Sequence, residues 1–304
     1  MCTSPRTASY NSDGSINFSK KHHNKELVPF QLPCGKCVEC LLERARDWSI
    51  RCLHEAKMHA SNAFITLTYA NEHLPADGRL NHYDFQLFMM RLRKHFKTDG
   101  IGFLMCGEYG EQTKRPHYHA CLFGIDFPDK KLVRENHMGD QIWNSAILTD
   151  LWSLGHTEIG SVTQQSAGYV ARYILKKHQD DPVHVPYQKM SRKNAIGKKF
   201  IEKYFQDIFI NARGSVILSD GTRTKCPRYY EKWLQKNHPD LWASYVTQTK
   251  HNNTERLREK AEQEHKIFIE EREKTSNPAL YDSPLKRKRI ILTEKIKRLK
   301  RTHL

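Results

Sequence analysis

The segment RPHYHACLFG, residues 115–124, carries two histidines two positions apart in an otherwise largely small and apolar run. Such a run predicts a β-strand, in which residues i and i+2 point to the same face. His117 and His119 would then share one face, about 7 Å apart along the strand. Two imidazoles so placed can bind one metal ion, and histidines exposed on the surface of a strand are the plain alternative. The residues around them have to separate these two interpretations.

A carboxylate is available on the neighbouring segment. IGFLMCGEYG, residues 101–110, also predicts a strand, and a hairpin into the histidine strand would bring Glu108 beside the imidazoles. Glu111 is the alternate. Two imidazoles and a carboxylate suit Zn²⁺, Mn²⁺ or Mg²⁺. We therefore predict a divalent metal site formed by Glu108, His117 and His119.

The segment SAGYVARYILKK, residues 166–177, predicts an amphipathic helix with chemistry on its polar side. One side is apolar and the other presents Tyr169, Arg172, Tyr173 and Lys176. Tyrosine on a helix usually packs, but two phenols one turn apart on a cationic face are harder to explain as core. A phenol has a pKa of about 10, so a tyrosine nucleophile needs nearby cations or a metal. Attack on a phosphodiester would give a phosphotyrosine link, and this combination favours DNA transesterification.

The charge balance also points to a nucleic-acid partner. The chain has 50 Lys and Arg against 34 Asp and Glu, a net charge of +16 over 304 residues. Basic residues concentrate in the final segment LKRKRIILTEKIKRLKRTHL. Lys286, Arg287, Lys288 and Arg289 there, together with Arg172, are the predicted DNA contacts. A solvated tail is the alternative for the final segment.

A compact cysteine run, Cys34, Cys37 and Cys40 in CGKCVEC, precedes a predicted helix at about 41–59. Three thiolates at this spacing can bind a structural Zn²⁺, with Cys52, His22, His23 or His54 as the fourth ligand. Unliganded reduced thiols and an iron–sulfur or redox role are the alternatives. No run approaches the roughly 18 apolar residues of a spanning helix, and the first residues lack an apolar signal core. We expect a cytosolic protein with reduced cysteines and no membrane partner.

The pattern of predicted elements indicates an α+β fold. Strands are predicted at 63–69, 101–110, 117–124 and 156–162, and helices after an Asn81 N-cap, at 142–154 and at 166–177. This order predicts an antiparallel sheet with helices packed mainly on one face, a split βαβ arrangement of the ferredoxin-like or RRM-like kind.

The segments FITLTY, PHYHACLFG and YVARYILKK, in this order, resemble the three motifs of rolling-circle replication initiators, the His-hydrophobic-His endonuclease superfamily. The pair Tyr169 and Tyr173 followed by Lys176 is similar to the two-tyrosine form of small isometric single-stranded DNA phages. CGKCVECLLERARDW further resembles the gokushovirus branch of the Microviridae. The three motifs cover about residues 63–178, and the cysteine segment extends the match to about residue 34. Tyr118 makes the centre of the histidine motif bulky.

The resemblance implies roles for these residues. His117 and His119 would bind Mg²⁺ or Mn²⁺ with Glu108 as the acidic partner, Tyr173 and Tyr169 would be nucleophiles, and Lys176 would assist near the scissile phosphate. The enzyme would nick the phage origin on double-stranded replicative-form DNA and stay linked to the 5′ phosphate. Host polymerase would extend the 3′-hydroxyl, and the displaced single strand would be rejoined into a circle.

The resemblance also implies host partners, while composition and motif positions along the chain give a domain plan. A host helicase would be needed, because the chain has no G-x-x-x-x-G-K-[ST] motif, and the protein would act in the host bacterial cytoplasm. The plan divides the chain into a polar lead-in at 1–33, the cysteine cluster and helix at 34–60, the nuclease core at 61–180, an accessory region at 181–250, and a charged helix with a basic tail at 251–304. The alternatives are a non-enzymatic, zinc-containing DNA-binding protein and a plasmid or transposon member of the same superfamily.

Overall fold

The structure, a computed structural model, describes residues 2–11, 15–18, 29–110, 112–136, 139–176, 184–193, 195–218, 220–274 and 282–298. The chain divides into two compact units, Met1–Glu43 with Val246–His303, and Arg44–Tyr245. Among the helices that the structure describes, none is both long enough and apolar enough to cross a membrane.

The elements alternate along the chain as a mixed set of strands and helices. The strands are β1 (Arg6–Tyr10), β2 (Ile16–Asn17), β3 (Phe30–Leu32), β4 (Asn62–Tyr69), β5 (Gly102–Tyr109), β6 (Pro116–Phe123), β7 (Lys131–Glu135), β8 (Gln141–Asn144), β9 (Gly155–Gly160), β10 (Tyr187–Met190), β11 (Ser215–Ile217) and β12 (Arg223–Lys225). The helices are α1 (Val38–Ala56), α2 (His82–His95), α3 (Ala146–Trp152), α4 (Gln164–Lys176), α5 (Lys198–Gln206), α6 (Arg228–Asn237), α7 (Pro239–Tyr245), α8 (His251–Glu273) and α9 (Pro284–Arg298).

The larger unit is built on a seven-stranded sheet in the order β10-β5-β6-β4-β9-β8-β7. Every neighbouring pair in it is antiparallel. The predicted α+β class with an antiparallel sheet is confirmed. The four central strands of the prediction lie within two residues of their predicted ends, because each combines β-branched and aromatic residues with flanking turn residues.

Helices cover both faces of this sheet, whereas the sequence predicted helices mainly on one face. On one face the sheet packs against α2 and α3, through side chains such as Phe88 and Trp152. On the other face it packs against α4 and the later part of α1, through Val170 and Cys52. The physical reason lies in the central strands: β6 is buried along nearly its whole length, so both of its faces need an apolar cover.

One predicted helix is shorter than expected. The stretch 142–154 begins with strand β8, and α3 starts only at Ala146. Ser145 caps α3, since its hydroxyl accepts a hydrogen bond from the Leu148 amide at 3.0 Å. Ile142 and Trp143 belong to an antiparallel hairpin with β7 that was not expected from the sequence. A pair of apolar residues such as Ile142 and Trp143 fits either a strand or a helix, and here pairing with β7 makes it a strand.

Two smaller sheets complete the described architecture. β1 pairs with β2 and β3 in a three-stranded antiparallel sheet, so part of the predicted polar lead-in is extended chain. β11 and β12 form a hairpin beside α5, α6 and α7, and this group has its own core around Ile201, Tyr230 and Leu234. The charged helix expected after residue 250 is α8, and α9 carries the basic segment.

Candidate active site

Strand register brings the predicted metal ligands together. In the β5–β6 ladder Glu108 lies opposite His117, and in the β4–β6 ladder Thr66 lies opposite His119. Residues opposite each other in a sheet have side chains on the same face, and His117 and His119 share that face because they are two apart. The face is the one that packs against α4.

The three ligand atoms converge on one point. The Nε2 atoms of His117 and His119 each lie 3.0 Å from the same Oε1 of Glu108. One ligand atom from each residue lies within 4.8 Å of the other two. Glu108 is 2% exposed, so the carboxylate sits at the bottom of the site rather than at its rim. This group can hold a metal ion.

Each imidazole is oriented through its other nitrogen. His117 Nδ1 lies 3.1 Å from the Arg115 carbonyl oxygen. His119 Nδ1 lies 2.9 Å from the Thr66 hydroxyl, and Phe64 stacks on the His119 ring at 5.7 Å between centroids. Histidines that bind metals are commonly held in this way, because the bond at one nitrogen fixes the direction of the other. Both Nε2 atoms are therefore aimed into the site.

The hydrogen bonds of the site fit a cation. A carbonyl oxygen can only accept, so His117 Nδ1 must donate its hydrogen to Arg115, and a neutral ring then turns the Nε2 lone pair toward Glu108. Two acceptors 3.0 Å apart need a proton or a cation between them. Burial would raise the pKa of the Glu108 carboxyl, but when a proton fills this position, hydrogen bonds from the protonated rings of His117 and His119 and the charge of those rings outweigh burial and hold the pKa far below its usual range. The carboxylate is thus kept ionised.

Helix α4 places a phenol at the same point. Ala167, Val170 and Ala171 are fully buried and seat the helix on the sheet. The Tyr169 hydroxyl donates a hydrogen bond of 2.7 Å to Glu108 Oε1, and its ring meets His119 edge-to-face at 5.1 Å between centroids. A single carboxylate oxygen therefore faces both imidazoles and the phenol.

The other predicted residues of α4 are placed less completely. The Arg172 side chain is exposed. Tyr173 and Lys176 lie within the helical range Gln164–Lys176, but their side chains fall outside the described part of the structure. Glu111, the alternate acid, also lies outside the described residues. Roles for Tyr173 and Lys176 stay predictions.

Tyr118, the bulky centre of the histidine motif, belongs to the core on the opposite face. Its hydroxyl donates to the Asn81 carbonyl at 2.7 Å and lies 2.9 Å from the Tyr69 hydroxyl. The side chain is fully buried, and burial raises the pKa of Tyr118 to about 12. The large side chain fits because it points away from the imidazoles into the opposite core. Its hydrogen bond to Asn81 anchors the chain just before α2.

The four predicted DNA contacts of the basic segment lie on α9. Lys286 Nζ lies 2.5 Å from Asp282, and Lys288 Nζ lies 2.6 Å from Glu264 on α8. Arg287 and Arg289 are exposed. Ion pairs between exposed side chains are weak, so phosphates can compete for these lysines. Binding of DNA by this helix stays a prediction.

The cysteine run gains a fourth member beyond those expected from the sequence. Cys2 lies with Cys34, Cys37 and Cys40 in one group whose sulfurs are all within 4.8 Å of one another. Cys52 is instead buried in the core of the larger unit, and His54 is buried with its Nδ1 2.9 Å from the Tyr230 hydroxyl. His22 and His23 lie outside the described residues.

Three contributors to these sites were missed from the sequence. Thr66 could have been found from the alternation of FITLTY, which places it on one face of a strand beside the histidines. The Arg115 carbonyl carries no sequence signal, since any residue has one. Cys2 lies 32 positions before Cys34, and only the pairing of β1 with β3 joins them.

Comparison with known proteins places the same segments in one family. The family model described as replication-associated protein ORF2 matches residues 62–178, the stretch that holds β4 to α4. The replication-associated protein VP4 of Bdellovibrio phage phiMH2K is 42% identical over 260 residues, covering 82% of each chain. The replication-associated protein ORF2 of Spiroplasma virus 4 is 32% identical, covering 72% of this chain and 73% of its own.

A further relative extends the same group. The replication-associated protein ORF4 of Chlamydia phage 1 is 31% identical over 71% of this chain and 56% of its own. No solved structure was found to match. The family match spans the sheet and helix that carry the site, and two relatives are matched over most of their length. The chain belongs to the replication-associated proteins of Microviridae-like phages and is a replication initiator of that family.

Proposed function

We propose that this initiator is a metal-dependent DNA endonuclease that nicks the origin of the double-stranded replicative form through a tyrosine and later rejoins the displaced single strand into a circle. The observation that carries the proposal is the 2.7 Å hydrogen bond from the Tyr169 hydroxyl to Glu108 Oε1, the oxygen that both imidazoles face. The phenol that would act as nucleophile therefore lies beside the residues that would bind the metal. A protein that only binds DNA has no need of that juxtaposition.

Glu108, His117 and His119 would hold Mg²⁺ or Mn²⁺. Glu108 supplies a carboxylate oxygen of the kind that suits these ions, and the fixed Nδ1 bonds aim both Nε2 atoms inward. A divalent ion there would polarise the scissile phosphate and stabilise the negative charge that develops on it. Nucleophilic attack and the binding of the phosphates would be carried out by side chains of this protein.

The tyrosine step conserves a phosphodiester bond. The phenolic oxygen attacks phosphorus, the bond from phosphorus to the 3′ oxygen breaks, the phenolic proton is released, and the departing oxygen takes up a proton to become a 3′-hydroxyl. The 5′ phosphate is then joined to tyrosine. In the reverse step a 3′-hydroxyl attacks the phosphotyrosine and the phenol is released. Because bonds broken and formed are of the same kind, rejoining needs no nucleotide energy source.

Two phenols permit two successive attacks by one chain. Tyr169 and Tyr173 are four residues apart on α4, about 6 Å along the helix axis. While one phenol holds the 5′ end, the second can attack the regenerated origin and free the displaced strand for closure. Arg172 and Lys176 follow on the same helix and supply positive charge for the phosphates.

The proposal implies host partners and a location. The 3′-hydroxyl left by the nick is a primer for host polymerase, and strand separation would need a host helicase. Both operate in the host bacterial cytoplasm, where the phage origin DNA would be met in double- and single-stranded form. The phage relatives favour this interpretation over a plasmid initiator or transposase.

The direct test is a nicking assay on the supercoiled replicative form with Mg²⁺ or Mn²⁺, together with detection of a covalent protein–DNA adduct. We expect wild-type protein to produce both the open circle and the adduct. Tyr169→Phe should lower adduct formation, and the double variant with Tyr173→Phe should abolish it. Tyr83→Phe, at an exposed tyrosine of α2, is the matched control and should behave as wild type.

Two outcomes would contradict the proposal. Adduct formation by the double tyrosine variant would show that the nucleophile lies elsewhere. Specific binding of origin DNA by the wild-type protein, without nicking at any divalent metal, would favour the non-enzymatic DNA-binding alternative.

A further inference from the structure

The four cysteines near the start of the chain form a second group of ligands, separate from the histidine site. The sulfurs of Cys2, Cys34, Cys37 and Cys40 all lie within 4.8 Å of one another. Cys2 and Cys37 are 3.6 Å apart, and all four are free thiols rather than disulfides. The other four cysteines of the chain are buried and belong to packed cores.

The small sheet explains how distant residues meet. β1 and β3 are antiparallel, with Arg6 opposite Leu32, so the start of β1 and the end of β3 lie at the same end of the ladder. Cys2 comes four residues before Arg6, and Cys34 comes two residues after Leu32. The pairing therefore carries Cys2 to the first cysteine of the run.

A tight turn then folds the run around one point. Gly35 adopts a positive φ of 73°, which a glycine tolerates without strain. The turn aims the amides of Lys36 and Cys37 at the Cys34 sulfur, at 3.4 and 3.2 Å. The Cys34 amide in turn points at the Cys2 sulfur at 3.3 Å. The two amides at the Cys34 sulfur favour its thiolate, which is the form that binds metal.

Helix α1 places the other two sulfurs beside this turn. Cys37 immediately precedes the helix and Cys40 lies in its first turn. The chain thus provides four sulfurs and a turn that gathers them.

We propose that Cys2, Cys34, Cys37 and Cys40 together bind one structural Zn²⁺. Four sulfurs around one Zn²⁺ at about 2.3 Å would lie about 3.8 Å from one another, close to the spacing of this group. The mutual limit of 4.8 Å leaves room for a single ion rather than for an iron–sulfur cluster between the sulfurs. Four protein ligands leave no open position, which is typical of structural rather than catalytic zinc.

The small sheet gives this ion a task. β1, β2 and β3 are only five, two and three residues long, and strands this short gain little from their own pairing. Zinc would join the segment before β1, the turn after β3 and the first turn of α1. In such small units the free energy of zinc binding contributes directly to the free energy of folding, because the unfolded chain has no preformed site.

The test is metal analysis of the full-length protein purified without added zinc. We expect one zinc per chain, and Co²⁺ exchanged into the site should show the absorption of a tetrahedral thiolate complex. Cys2→Ser should weaken zinc binding at least about tenfold, since loss of a ligand exceeds the 10- to 100-fold effect of losing a group that only orients one. Cys226→Ala, at a buried cysteine outside the group, is the matched control and should keep one zinc.

A second variant covers the case in which Cys2→Ser does not fold. Cys2→His keeps a zinc ligand at that position, and its Co²⁺ complex should show the spectrum of three sulfurs and one nitrogen. An unchanged zinc affinity of Cys2→Ser in competition with a chelator, or a four-sulfur spectrum in Cys2→His, would overturn the assignment of Cys2. Iron in place of zinc in the wild-type protein would overturn the metal, and a folded, metal-free wild type would overturn the site.

Discussion

The histidine site and the cysteine site hold their ligands by different means. Glu108, His117 and His119 lie on adjacent central strands of a seven-stranded sheet, where ladder hydrogen bonds and two apolar covers fix every ligand. Cys2, Cys34, Cys37 and Cys40 lie around a three-stranded sheet of ten residues in total. The first site is prepared by the fold before any ion arrives. The second site has too little packing of its own, and we infer that its order depends on the ion.

The largest expected contrast appears on removal of metal. Brief treatment with EDTA should abolish nicking, and Mg²⁺ should restore it fully, because a site with three protein ligands exchanges its ion readily. Hydrogen exchange by mass spectrometry should leave β4–β6 protected throughout. Stripping zinc with a thiol-directed mercurial should release protection in β1 and β3 while β4–β6 stay protected. Equal loss of protection in both sheets would refute the contrast.

Loss of one histidine should remove chemistry without removing the fold. His119→Ala takes away one nitrogen ligand, and we expect the nicking rate to fall about a thousandfold, the equivalent of several kcal/mol of metal-assisted stabilisation. Zinc content should stay at the wild-type value. His95→Ala, at an exposed histidine of α2, provides the control. A similar rate for His119→Ala and wild type would argue against His119 as a ligand.

Loss of an orienting group should have a smaller effect at the same site. Thr66→Val removes the hydroxyl that lies 2.9 Å from His119 Nδ1, and we expect Mn²⁺ affinity to fall by about 10- to 100-fold. High Mn²⁺ should recover the nicking rate, which separates orientation from a direct catalytic part. Thr157→Val, on the neighbouring strand β9 opposite Leu67 and therefore on the other face of the sheet, is the control. A similar decrease in both variants would indicate a general effect of the sheet.

The opposite face of the sheet should contribute stability alone. Tyr118→Phe removes the hydroxyl that donates to the Asn81 carbonyl, and we expect the free energy of unfolding to fall by about 1 to 2 kcal/mol. Denaturant unfolding measures this, with the exposed Tyr83→Phe as a near-neutral control. The nicking rate of folded Tyr118→Phe should equal that of wild type. A large decrease in rate would show that the two faces are coupled.

The smallest effect is expected from the basic helix α9. Salt weakens duplex binding, and the slope of log K against the logarithm of salt concentration measures how many phosphates are bound. This slope should become shallower, by up to about 0.9 for each phosphate no longer bound, when alanine replaces Lys286, Arg287, Lys288 and Arg289. The effect should fall short of four phosphates, because Lys286 and Lys288 are already paired with acidic residues. Binding measured over a range of salt concentrations tests this. An unchanged slope would show that α9 does not bind DNA.

The histidine site could be predicted from the sequence because its information is local. Alternation within a strand fixes the shared face of His117 and His119, and a hairpin of adjacent strands supplies Glu108. The hairpin of β7 and β8 was not predicted, since four residues such as Gln141–Asn144 carry no distinctive period. Helix cover on both faces was also missed, because burial on both sides of a central strand depends on what packs there.

The sequence by itself determined the four strands β4, β5, β6 and β9, the amphipathic helix with Tyr169, and the three residues of the predicted metal site, since these follow from spacing within short segments. Only the tertiary structure decided that the Tyr169 hydroxyl meets Glu108 Oε1, and that Cys2 rather than Cys52 completes the cysteine group. Both arrangements join residues that are far apart along the chain. Their partners are chosen by sheet register and helix packing, which depend on the summed burial of many side chains rather than on any one motif.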